Sequence, residues 1–160
     1  MPAPAKPLTA IHATEIPPRT GARFLPEPFA SRLSRRVKHP LSDAFGLKAF
    51  GVNLTRLAAG DVSSLHHRHR LQDELVYVLV GHPTLVTDED EMELSPGMCA
   101  GFPAGGTAHH LENRTAQEVV VLEVGDRASG DQVIYPAEDL ALDFSPDGKP
   151  HFTHRDGTPY

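Results

Sequence analysis

Cysteine is nearly missing from this 160-residue chain, with Cys99 the single example. That excludes an intramolecular disulfide and a cysteine-based zinc site. A lone thiol also fits a reducing compartment. Positive charge is scarce, 15 Lys and Arg against 21 Asp and Glu, for a net charge of −6. Phosphate backbones are bound by net basic faces, so nucleic acid is not an expected partner. A local exception, Arg32, Arg35, Arg36 and Lys38, reads as a solvated basic segment. No helix-turn-helix is visible, which argues against direct DNA control. Met1 to Pro7 contain no apolar run long enough for a signal peptide or a membrane span, so a soluble cytoplasmic protein without a membrane partner is expected. Amphipathic helices of three turns and internal repeats are missing as well.

What is present begins with proline. Pro2, Pro4, Pro7, Pro17, Pro18, Pro26 and Pro28 crowd the start, and such a segment suits neither a helix nor a central strand. Residues 1–45 therefore read as an extended arm on the body, docked through Phe24, Leu25 and Phe29, with disorder expected only for residues 1 to about 10. From Leu47 the pattern turns to period two, Phe50, Val52 and Leu54 alternating with Gly51, Asn53 and Thr55. Further strands are predicted at Leu75–Val80, Thr84–Thr87, Glu91–Leu94, Met98–Phe102, His109–Asn113, Glu118–Val124 and Gln132–Tyr135, with turn signals between them. Many short, evenly spaced strands predict an all-β barrel or double-sheet sandwich over residues 46–136. A short helix is expected near Pro40–Phe45, with Ser42 or Asp43 as cap. Residues 137–160 read as an irregular extension packed on the barrel. The acidic tip Asp88–Glu93 reads as a solvated turn, lacking the glycine and final glutamate of a calcium loop.

Chemistry concentrates in two stretches. In the first, His67 and His69 lie two residues apart, so on a strand both face one side, roughly 6.6 Å apart. Imidazoles at that spacing can converge on one ion through bonds of about 2 Å. His66 has the opposite parity. Glu74 opens the apolar run Leu75-Val76-Tyr77-Val78-Leu79, where a carboxylate needs a partner, and a cation is the strongest available. In the second stretch, only one of His109 and His110 can look inward. Asn113 shares the parity of His109, which favours His109 as the fourth ligand. Three imidazoles and a carboxylate suit iron, manganese, nickel, zinc or copper, and suit calcium and magnesium poorly. A surface histidine cluster is the plainer alternative. It accounts for His12, His39, His82, His151 and His154, which have no spacing logic, better than for the quartet. Gln72 and Asp73 read as a polar turn, Cys99 as a small core residue, and Phe102 and Tyr77 as packing aromatics. Arg56 and Arg70 are the basic residues expected nearest the site, Arg68 having the wrong parity.

These residues resemble the two motifs of a bacterial single-domain cupin. Gly60, His67, His69, Glu74 and Gly81 fit the first, and Gly97, Pro103, Gly105, His109 and Asn113 fit the second. One extra residue separates Gly60 from His67, and one Gly105 from His109. The resemblance implies a cupin-type double-stranded β-helix, a small jelly-roll barrel, holding one divalent transition metal through His67, His69, Glu74 and His109. It also implies a homodimer, in which the arm could exchange between protomers. The subgroup of this length carries names such as sugar-phosphate isomerase by analogy. The expected function is an enzyme acting on a small polar metabolite that chelates the metal through adjacent oxygens. An isomerase, a dioxygenase and a non-catalytic metal or ligand-binding module all remain open at this point.

Overall fold

The computed structural model describes residues 8–20, 25–145 and 149–160. Among the described residues there are thirteen strands, two single-turn α-helices and one 3-10 helix, Ala13–Glu15. In chain order the strands are β1 (Arg19–Thr20), β2 (Val37–Pro40), β3 (Phe50–Leu57), β4 (Arg68–His69), β5 (Glu74–Val80), β6 (Thr84–Thr87) and β7 (Glu91–Glu93). They continue with β8 (Cys99–Phe102), β9 (His109–Glu112), β10 (Val119–Asp126), β11 (Gln132–Ile134), β12 (Ala141–Phe144) and β13 (Pro150–Thr153). The helices are α1 (Phe29–Arg32) and α2 (Leu41–Ala44).

Every strand pair is antiparallel. One wall is a six-stranded sheet in the order β1-β2-β3-β10-β5-β8. The other consists of a four-stranded sheet, β13-β12-β11-β4, and a three-stranded one, β7-β6-β9, stitched together by a bridge between His67 and His109. The all-β jelly-roll expectation is met.

Alternation explains the inner faces. Val76 and Val78 of β5 and Val119 and Val121 of β10 join Leu57, Leu85 and Leu111 in one buried cluster. A second cluster gathers Leu65, Val133, Tyr135, Leu140 and Leu142 with Leu25, Phe29 and Leu33 from the arm. Leu25 and Phe29 thus dock as expected, while Phe24 and the tail residues 1–7 lie outside the described residues.

The arm does more than lie on the barrel. Its β2 pairs with β3 from Val37↔Arg56 to Pro40↔Asn53 and extends the large sheet. Proline is tolerated there because Pro40 ends β2, past the two residues that pair with β1. The short helix appears where expected, but neither predicted cap acts as one. Ser42 Oγ instead accepts the Val52 N–H at 3.0 Å, and Asp43 pairs with Arg19 and Arg127. Residues 137–160, read as irregular, carry β12 and β13. Their pairing partners are each other and β11, so no local alternation announced them.

Two motif residues prove structural. Gly81 turns the chain between β5 and β6 at φ +79°, and a Cβ there would meet Glu118 O at 2.7 Å. Asn113 is 1% exposed and spends its whole side chain on the β9–β10 turn. Its Nδ2 donates to Leu57 O at 2.9 Å and to Gln117 O at 2.7 Å. Its Oδ1 accepts the Thr115 N–H at 3.0 Å and hydroxyl at 2.8 Å. Asn113→Ala strands the buried Leu57 carbonyl, at a cost of about 1–3 kcal/mol. The variant is expected to unfold at lower urea with an unchanged slope, as measured by circular dichroism.

Candidate metal centre

His67 and His109 exchange two backbone hydrogen bonds, His67 N–H to His109 O at 3.2 Å and His109 N–H to His67 O at 2.8 Å. This reciprocal pair sets their imidazoles side by side, ring centres 5.0 Å apart. His69 sits two residues along the same wall, its carbonyl accepting the Gly105 N–H at 2.8 Å, so each motif holds the other in place. Glu74 begins β5 on the opposite sheet.

The four side chains meet at one atom. Glu74 Oε2 lies 3.2 Å from His109 Nε2, 3.4 Å from His67 Nε2 and 3.6 Å from His69 Nε2. Ligating atoms of His67, His69 and Glu74 all fall within 4.8 Å of one another. Glu74 Oε2 is buried and makes no hydrogen bond. Spacings of this size suit ligands on one ion, since bonds of about 2.1 Å put neighbouring donor atoms roughly 3.0–3.4 Å apart. Burial works to raise the Glu74 carboxyl pKa, but His109, His67 and His69 hold it well below the usual carboxylate range. Burial lowers the His67 imidazole, with Glu74 opposing, and a neutral ring is the form that ligates.

The far ring nitrogens fix the tautomers. His67 Nδ1 donates to Leu65 O at 2.9 Å, leaving the Nε2 lone pair for the site. His69 Nδ1 meets Asp131 Oδ2 at 2.5 Å, and Asp131 Oδ1 accepts the Leu71 N–H at 2.8 Å. His109 Nδ1 is buried without a partner, and its ring stacks on Phe102 with centres 3.4 Å apart. His110 faces away, its ring tied to His66 Nδ1 at 3.0 Å and Glu112 at 2.9 Å. The orphaned oxygen, the three converging Nε2 atoms and the two anchored Nδ1 atoms fit a divalent transition metal.

The centre lines a cavity of about 220 Å³ between the sheets. Leu25, Leu33, Leu65, Val133 and Leu142 give it apolar sides, and Arg36, Lys38, Glu123 and Tyr135 add polar ones. Lys38 Nζ donates to Glu123 Oε2 at 2.5 Å, as does Thr55 Oγ1 at 2.8 Å. Burial lowers the Arg36 guanidinium and the Lys38 ammonium, with Glu123 opposing in both cases. It pushes the Tyr135 phenol well up, so that group is a hydroxyl donor at neutral pH.

Several of these residues were not anticipated. Arg36, expected in solvent, is 6% exposed. The period-two step from Arg36 to Lys38 was the available signal. Glu123 shares the inward parity of Val121, which makes it a charged residue in a core register. Asp131 had no sequence signal, because its role depends on a fold-specific contact with His69. Conversely, Arg56 pairs with Glu118 and Arg70 with Gln132, both exposed and outside the cavity lining. Gln72 and Asp73 bind backbone at Ala128 and Ala104, as a polar turn would. Cys99 is exposed rather than buried, and Tyr77 is 40% exposed.

Asp131→Asn keeps the shape but weakens the grip on His69. Loss of such a supporting partner typically costs 10–100-fold in metal affinity. That drop is expected in a competition titration against a chromophoric chelator, with secondary structure unchanged.

The family model for a cupin domain matches residues 53–125. Over nearly its full length the chain is similar to a sugar phosphate isomerase from a cupin superfamily of Silicibacter pomeroyi. Identity is 37%, coverage 95% of this chain and 96% of that one, and the TM-score 0.88. A protein of Acidithiobacillus ferrooxidans, provisionally designated a sugar phosphate isomerase, shares 32% identity over 79% of this chain and 80% of that one, with a TM-score of 0.71. A 46-residue stretch is 46% identical to the bifunctional protein FolD of Gluconacetobacter diazotrophicus, covering 29% of this chain and only 15% of that one.

Proposed function

The chain belongs to the cupin superfamily, and from that membership we propose that it is a metal-dependent isomerase of a small polar metabolite. The observation that carries this reading is the buried, unpartnered Glu74 Oε2 among three Nε2 atoms, in a cavity that also holds a second carboxylate. The two relatives named for sugar phosphate isomerisation support it. On this reading His67, His69, Glu74 and His109 hold one divalent transition ion, which supplies Lewis-acid polarisation of a bound carbonyl.

The chain's own groups do the rest. Glu123 is suited to carry a proton between neighbouring carbons, since Lys38 and Thr55 hold its carboxylate still inside the cavity. Tyr135, kept protonated by burial, offers a hydrogen bond to a substrate oxygen beside His67, the two ring centres lying 6.2 Å apart. The apolar sides exclude water. A cavity of about 220 Å³ falls below the roughly 300–1,000 Å³ typical for drug-sized ligands, which limits the substrate to a small metabolite.

The test joins composition to turnover. Tag-free protein purified without nickel resin is expected to hold near-stoichiometric metal, lost in a His67→Ala, His69→Ala double variant. In D2O the native protein should interconvert a ketose and an aldose, with deuterium appearing at the exchanged carbon by NMR. Glu123→Gln should lower kcat by roughly 10²–10⁴-fold while retaining metal. Oxygen uptake with diols or diketones would favour a dioxygenase. Saturable binding without product would favour a binding module.

A homodimer is part of the proposal. Leu75, Tyr77 and Leu79 of β5 alternate outward at 42%, 40% and 40% exposure, an apolar strip that a second copy would cover. Light scattering should give twice the 17.4 kDa chain mass, and Tyr77→Lys should return the monomer. Among the described residues no helix is long and apolar enough to cross a membrane. The exposed, single Cys99 suits a reducing, cytoplasmic setting.

A further inference from the structure

Among the described residues, three buried side-chain polar atoms have no hydrogen-bond partner: Glu74 Oε2, His109 Nδ1 and Arg36 Nε. All three residues line the same cavity. The first two belong to the metal centre. Arg36 does not, and nothing in that centre calls for a guanidinium.

The setting of Arg36 is built rather than incidental. It directly precedes β2, whose pairing with β3 anchors the arm to the large sheet. Its Nη1 donates to Ser63 O, which fixes the fork from behind. The residue is 6% exposed, and an N–H buried without an acceptor costs free energy that some partner must recover. Lys38, on the same face of the arm, is already neutralised by Glu123, with Thr55 completing that carboxylate's contacts. Among the described residues Arg36 forms no ion pair with a carboxylate, and Glu123, which acts on it electrostatically, is paired to Lys38. Tyr135 links the two regions, its ring beside His67 and its phenol within the fields of both Arg36 and Glu74.

We infer that Arg36 anchors the anionic end of the substrate, and that this end is a phosphate monoester, whose oxygens can accept the unpartnered Nε–H and meet the guanidinium charge. Guanidinium forks suit tetrahedral oxyanions, and a buried one discriminates strongly against a neutral analogue. The arm is then part of the binding site and sets substrate class, while the metal centre holds the polar oxygens. This inference rests on the isomerase reading and names the substrate class for the same cavity.

The experiment uses full-length, manganese-loaded protein and calorimetric titration with dihydroxyacetone phosphate and with dihydroxyacetone. The native protein should prefer the phosphorylated probe. Arg36→Met should lower affinity for that probe by roughly ten- to a hundredfold. It should lower affinity for dihydroxyacetone far less, with metal content unchanged. Equal binding of the phosphorylated probe by native protein and Arg36→Met overturns the inference, as does a native protein with no preference between the two. Failure to hold metal at all sinks the isomerase reading instead, so the two failures are distinguishable. Should Arg36→Met not fold, the native protein supplies the answer by NMR. Its arginine Nε–H signal from Arg36, assigned by its disappearance in Arg36→Lys, should shift on adding inorganic phosphate. No shift at saturating phosphate, or a shift with acetate but not phosphate, overturns the assignment.

Discussion

The Oε2 atom of Glu74, buried among three imidazoles, is the constraint around which the barrel is arranged. A buried carboxylate loses its hydration, and neutral imidazoles return little of what is lost. Protonating one ring gives back on the order of 4 kcal/mol at an effective dielectric of about 20 and a separation near 4 Å. Protonating a second is opposed by the first, because the rings of His67 and His109 are 5.0 Å apart and those of His67 and His69 are 5.2 Å apart. A divalent ion bonded to all four donors, as proposed, would satisfy the Glu74 oxygen that lacks a hydrogen bond.

Holding four donors at one point requires both walls of the barrel. The three imidazoles come from the two smaller sheets, joined at the reciprocal His67–His109 pair, and the carboxylate comes from the large sheet. Apolar clusters on either side of the cavity supply rigidity, and both contribute to its lining. The polar groups between them are satisfied wherever their work is positional. His67 and His69 have anchored Nδ1 atoms, and Glu123 is fastened by Lys38 and Thr55. Orphaned atoms remain only at Glu74, His109 and Arg36 among the described residues. Packing and polar satisfaction thus mark the same cavity from opposite directions.

Features that depend on near neighbours in sequence were legible before the structure. The alternation of Phe50 to Thr55 and the parity of His67 and His69 are local, and so is the incompatibility of His109 and His110 on one face. What escaped depends on contacts between distant segments. β2 becomes a strand because β3 offers it an edge, and β12 and β13 form against β11 and each other. Asp131 acquires its role only by lying beside His69. The run Leu75 to Leu79 illustrates a different limit. A continuous apolar strand reads as buried on both faces, yet Leu75, Tyr77 and Leu79 are open to solvent in the single chain. Apolar content alone does not distinguish a core from a surface that another molecule covers.

The basic segment carries the most instructive misreading. Arg32, Arg35, Arg36 and Lys38 look alike in sequence, as four cations in an acidic protein. Two of them do behave as surface charges, Arg32 meeting Glu138 and Arg35 meeting Asp61. Arg36 and Lys38 do not, because the first strand of real length in the arm begins at Val37 and turns alternate residues inward. Pairing with β3 then carries both cations into the cavity beside the metal centre. A barrel of this kind serves many chemistries, so its metal ligands say little about which metabolite enters. The residues that the arm adds to the cavity differ from those ligands in just this respect. They lie outside the motif region and come from an element appended to the barrel, where Lys38 is paired to Glu123 of β10 and Arg36 keeps a buried N–H without a partner. On the proposed reading, selectivity would reside in this appended strand, where a substitution can change it without disturbing the four donors.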